Sequence, residues 1–109
     1  MKKILLIISL LVMVGCKGEV EKTEIDISTA QCGMCVSTIS QTLKSVDGVK
    51  KVNVDLGAKI ATVVFDPTAV QVKNLESAIS NAGYQANGIS ANAEVYKSLP
   101  GCCKLPEDR

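Results

Sequence analysis

Four cysteines stand in two tight pairs, Cys32/Cys35 in the stretch QCGMC and Cys102/Cys103 in GCC. A Cys-x-x-Cys pair can be a soft-metal claw, a redox couple, half of a structural zinc site or an ordinary disulfide. The chain contains no histidine. That absence removes the commonest general base, the Ser/His and Cys/His catalytic arrangements, and every imidazole metal site. No Asp or Glu lies between Ile27 and Val46, so Cys32 and Cys35 have no hard oxygen ligand beside them in sequence. Two thiolates offset by three residues can converge on one soft ion, Cu(I) in first place, with Hg(II), Cd(II) and Zn(II) as competitors. Zn(II) takes four ligands, and two are missing locally. No acid/base constellation is present, so no catalytic residue is assigned and a binding protein, not an enzyme, is expected.

These thiols must be read with their compartment. The chain opens MKKILLIISLLVMVGCKG, two lysines followed by an apolar run over residues 4–14. That run is short of the ~20 residues a spanning helix needs, and it suits the apolar part of a secretory signal. Met13-Val14-Gly15-Cys16 resembles a bacterial lipobox. The resemblance implies a lipoprotein signal peptide over residues 1–15, lipidation of Cys16, and a chain anchored by lipid in the bacterial cell envelope, on the periplasmic side or at the outer membrane. Thiols outside the cytoplasm tend to oxidise unless a metal or a reductant holds them.

After a polar tether over residues 16–21, the pattern becomes that of a folded domain. Residues 23–27 alternate polar and apolar, as a half-buried strand does. Val36, Ile39, Leu43 and Val46 mark one face of a helix, with Gly48 placed to cap it. Residues 49–55 and 59–66 alternate again, and Val72, Leu75, Ile79 and Ala82 form a second helical face that Gly83 closes. Residues 84–90 form a weaker fourth strand. The order is βαββαβ over residues 22–91, an α+β ferredoxin-like sandwich of a four-stranded antiparallel sheet with two helices on one face. Cys32 and Cys35 fall between the first strand and the first helix. Helix-end N–H groups there should acidify Cys35, in the opening turn.

Composition agrees with one small domain. The chain has 109 residues, is 47% hydrophobic and carries only 3% aromatics, so its core is built from aliphatic side chains. With 12 basic and 11 acidic residues it has no basic stripe, and Phe65, Tyr84 and Tyr96 offer no stacking platform, so nucleic acid is excluded as a partner.

Residues 22–91 resemble the heavy-metal-associated domain shared by copper chaperones, metal-pump N-terminal domains and the periplasmic mercuric-ion-binding protein. Cys32 and Cys35 match that family's Cys-x-x-Cys in its first βα loop. VDGVKKVNVDL, ATVVFDP and AISNAGY resemble its second strand, third strand and second helix. The resemblance implies metal binding by Cys32 and Cys35 and a metal-transporting ATPase, or another envelope metal-handling protein, as the transfer partner. It also implies an aromatic shield at Tyr84. The family places Gly-Met-x before the first cysteine; this chain has Thr29-Ala30-Gln31, which predicts a looser loop. Met34 lies between the cysteines, as a shield or an exposed filler. Lys44, Lys50 and Lys51 form either a docking patch or a solvated surface.

Two questions stay open at this level. Cys32-Gly33-Met34-Cys35 also resembles the thioredoxin Cys-Gly-Pro-Cys. However, Met replaces Pro, tryptophan is absent, and Pro67 reads as a helix-start residue. Residues 92–109 form a Cys-containing tail, one or two helical turns and then a loose end. Cys102 and Cys103 are candidate additional metal ligands, a second soft-metal site, or cross-links to the loop, and spacing does not choose among these.

Overall fold

The computed structural model describes residues 19–109. The expected signal peptide and the expected lipidation site, Cys16, lie outside the described residues. Strand β1 (Glu21–Asp26) is followed by helix α1 (Gly33–Lys44), strands β2 (Val49–Asp55) and β3 (Ile60–Phe65), helix α2 (Val72–Asn81) and a short helix α3 (Ala93–Lys97). The sheet order is β1-β3-β2, antiparallel throughout, with Ile25 opposite Ala61 and Val54 opposite the same residue on the other side. Ala61, Val63 and Phe65 of β3 are buried together with Ile25, Ile39, Leu43, Leu75 and Ile79. The period of two on β3 and the steps of three and four on the helices therefore meet in one aliphatic core. This is the α+β ferredoxin-like plan with both helices on one face of the sheet.

Three details differ from the sequence reading. Helix α1 ends at Lys44, with Ser45 at its C-cap, before Gly48 is reached. Gly48 has φ +99 in the turn into β2, and a Cβ there would lie 2.8 Å from the Ala69 side chain, so a glycine is needed for another reason. Pro67 does not start a helix; α2 begins at Val72 behind Gln71, whose side chain forms a reciprocal capping box with Asn74. The expected fourth strand is reduced to a tight turn. Asn87 and Gly88 both take positive φ, and Ala86 pairs only with Ile89. Asn87 still occupies the free edge of β1: its N–H donates to the Asp26 carbonyl at 2.9 Å, while its Oδ1 accepts the Asp26 N–H at 2.8 Å. A side-chain amide there does what a strand's own carbonyl would do.

The tail is folded. Asn92 donates its N–H to the Ser80 carbonyl at the end of α2, and its side chain caps α3 by accepting from the N–H groups of Glu94 and Val95. Leu99 packs against the core, and a 3-10 turn over Gly101–Cys103 buries Cys103 to 1% exposure. The Tyr96 hydroxyl accepts from the Leu105 N–H at 2.9 Å and donates to Asp108 at 2.7 Å, holding the last turn in place. Among the described residues no helix is long and apolar enough to cross a membrane.

Candidate metal centre

The loop from β1 to α1 delivers the first two sulfurs. Cys32 is the N-cap of α1, with extended backbone, and Cys35 is buried one turn inside it. Their Sγ atoms are 3.6 Å apart. The Gln31 N–H points back to Cys35 Sγ at 3.5 Å. The loop is tied down on both sides. Gln85 donates its N–H to Thr29 Oγ1 at 3.0 Å, the Ser28 hydroxyl meets Gln85 Oε1 at 2.9 Å, and the Lys59 ammonium donates to the Ala30 carbonyl. Ala30 itself is fully buried. The looseness expected from Ala30 is thus offset by contacts from distant chain segments. Lys59, expected as the first residue of the third strand, lies instead in the turn between β2 and β3 with φ +59, and no role at the site was expected of it. A lysine in a hairpin turn looks like solvated surface until the fold brings it beneath the loop.

The tail delivers two more sulfurs. Cys102 Sγ lies 3.3 Å and Cys103 Sγ 3.9 Å from Cys32 Sγ, and the sulfurs of Cys32, Cys102 and Cys103 all fall within 4.8 Å of one another. Among the described residues the four cysteines, Cys32, Cys35, Cys102 and Cys103, are all free thiols. Of the possibilities left open for the C-terminal pair, the structure brings it to the first pair.

Electrostatics separates the thiols. Cys32 is lowered to about 6, chiefly by the Cys35 backbone N–H at the open start of α1 and next by the Cys102 thiol. The open helix start acidifies Cys32, the capping residue. Cys103 is pushed up to about 12, first by burial and then by the Cys35 sulfur. Cys102 is raised by its contact with Cys32. An acidified Cys32 thus stands beside Cys102 and Cys103 thiols that are biased toward their protonated form.

The two expected shields divide. Met34 is 54% exposed and faces solvent. Tyr84 is 1% exposed, and its hydroxyl is buried without a hydrogen-bond partner. Burial raises its phenol pKa, with Cys103 and Cys35 as the next influences, so the phenol lies near those two sulfurs. Lys44, Lys50 and Lys51 are exposed.

A ferredoxin-like sandwich with paired cysteines at its first βα junction defines a class of small thiol-bearing domains. The heavy-metal-associated domain model matches residues 24–85, more than half of the chain, and the chain belongs to that family. It is 40% identical over 60 residues to the mercuric transport protein periplasmic component of Shewanella putrefaciens, covering 55% of this chain and 66% of that protein. It is 38% identical over 68 residues to the copper chaperone CopZ of Enterococcus hirae, covering 62% and 99%. The crystal structure of oxidized MerP from Ralstonia metallidurans CH34 superposes with a TM-score of 0.61 at 28% identity, covering 62% of this chain and 94% of that one. The chain spans 5–8% of the length of the copper-transporting ATPases it also matches. The matched domain ends before the tail, so Cys102 and Cys103 lie outside it.

Proposed function

We propose that this chain binds one soft metal ion through the thiolates of Cys32 and Cys35, and sequesters it or passes it on by thiolate exchange. The observation that carries this reading is the pairing of an acidified Cys32 with Cys35 at 3.6 Å, at the first βα junction of a heavy-metal-associated domain. Cu(I) is the first candidate, because two soft sulfurs without an oxygen or imidazole ligand suit a low-coordinate monovalent ion. The name of the Enterococcus relative supports it. Hg(II) is the second, favoured by the name of the Shewanella relative. Transfer is associative: an incoming partner thiolate adds to the ion, and one of the original cysteines leaves. Tyr84 shields the buried side of the site.

The setting in this reading is the cell envelope, with the chain held at a membrane by lipid on Cys16. The receiving partner is a metal-transporting ATPase or another envelope metal-handling protein. No reaction is catalysed.

Competition against a Cu(I) chelator tests the site. The reduced chain should hold Cu(I) far more tightly than its Cys32→Ser, Cys35→Ser variant, and equal affinities would refute the proposal. Incorporation of labelled fatty acid, lost on Cys16→Ser, tests the anchor.

A further inference from the structure

We propose that Cys102 and Cys103 complete, with Cys32 and Cys35, a cage of three or four thiolates suited to a divalent d10 ion such as Cd(II) or Zn(II). This rests on the reading of Cys32 and Cys35 as metal ligands and extends it to ions that two thiolates hold poorly.

The geometry favours a shared site over a chance approach. Cys32 Sγ is 3.6, 3.3 and 3.9 Å from the sulfurs of Cys35, Cys102 and Cys103. Ligands at ~2.3 Å from a tetrahedral ion are separated by roughly 3.8 Å, so the three edges that meet at Cys32 already have the lengths of such a cage. Cys32, Cys102 and Cys103 lie mutually within 4.8 Å as a ready three-sulfur face, and Cys35 must close in to join as the fourth ligand. The tail is built to bring them there: Asn92 fastens it to the end of α2, Leu99 anchors it on the core, and the turn Gly101–Cys103 lies against α1. Adjacent cysteines bridge each other only under strain, which leaves both thiols available to a third party.

The two added sulfurs have different surroundings. Cys103 is buried beside Cys35 and Tyr84, while Cys102 is exposed on the outer side. Four thiolates around a divalent ion carry two residual negative charges. The unpartnered Tyr84 hydroxyl supplies a ready hydrogen-bond donor to one of them. Each thiol that joins gives its proton to solvent as its lone pair goes to the ion. Cys102, as the outermost ligand, is the one whose departure would expose the ion to an incoming thiolate.

The test uses Cd(II) on the reduced chain, counting Cd–S bonds by X-ray absorption and measuring affinity by chelator competition, with Cu(I) affinity in parallel. The unaltered chain should show three or four sulfurs. The Cys102→Ser, Cys103→Ala variant should show two and bind Cd(II) weaker by roughly 100-fold or more, while its Cu(I) affinity stays within about tenfold. Since Cys103 is a core residue, Cys102→Ser alone provides a folded control and should lose one Cd–S bond. Two sulfurs in the unaltered chain, or the same Cd(II) affinity in all three proteins, overturns the cage while leaving Cu(I) binding by Cys32 and Cys35 intact. Failure of the unaltered chain to bind either ion overturns both readings.

Discussion

The sulfurs of Cys32 and Cys102 lie 3.3 Å apart although 70 positions of sequence separate them. Cys32 caps a helix in the family-matched domain, whereas Cys102 belongs to a tail outside it. The contact brings the tail to the loop, and Cys102 is the second influence, after the Cys35 backbone N–H, that lowers Cys32.

Cys32 should be the first cysteine alkylated by limiting iodoacetamide at pH 7, and Cys103 the last. The sign follows from the shifts: Cys32, lowered to about 6, is mainly thiolate above that pH and loses its reactivity as pH falls through it. Cys103, raised to about 12 and buried, stays a thiol. Peptide mass spectrometry across pH 5–8 checks the ranking, and equal rates at the two sites would contradict it.

Tyr84→Phe should act in opposite directions on the metal-free and loaded protein. Its hydroxyl is buried and unpartnered in the metal-free chain, so removing it should leave stability unchanged or raise it by about 1 kcal/mol. In the loaded protein a donor to thiolate is lost, and affinity for Cu(I) or Cd(II) should fall by roughly tenfold, about 1.4 kcal/mol. Thermal melts with and without metal resolve the two effects.

Gly83→Ala should loosen the tail. Gly83 has φ +102, and a Cβ there would stand 3.2 Å from both Val95 Cγ1 and Leu99 Cδ1. A cost of about 1 kcal/mol or more is expected from the backbone alone. The diagnostic readout is Cys103, whose alkylation should accelerate while the central β3 amides keep their hydrogen-exchange protection.

Lys59 offers a test of the loop's support. Lys59→Ala removes the bond to the Ala30 carbonyl and keeps a side chain at φ +59. It should lower stability by about 1–2 kcal/mol in denaturant. Lys59→Gly should cost less, because glycine accepts that backbone conformation without strain.

The elements of the fold were largely legible. The alternation of Ala61, Val63 and Phe65 and the helical spacing of Leu75 and Ile79 each record which side faces the core, and those residues are buried as a set. The fourth strand was not. Residues 84–90 have strand-like composition, but Asn87 and Gly88 turn the chain, and Asn87 satisfies β1's edge with its side chain. Local pattern cannot register that substitution, because the partner carbonyl and N–H of Asp26 are 61 residues away.

The centre divides along the same line. Sequence alone placed Cys32 and Cys35 at the first βα junction, since strand, loop and helix are all written in neighbouring residues, and it excluded imidazole ligands by the absence of histidine and carboxylates from the neighbouring stretch Ile27–Val46. Only tertiary structure showed Cys32 acidified by the start of α1 and the Cys102 thiol, set Lys59 against the loop and buried Tyr84. It also carried Cys102 and Cys103 to the first pair. Those relationships depend on Gly83, Asn92 and Leu99 fixing where the tail runs, and distance in space between far-separated residues is set by packing, which no local spacing encodes.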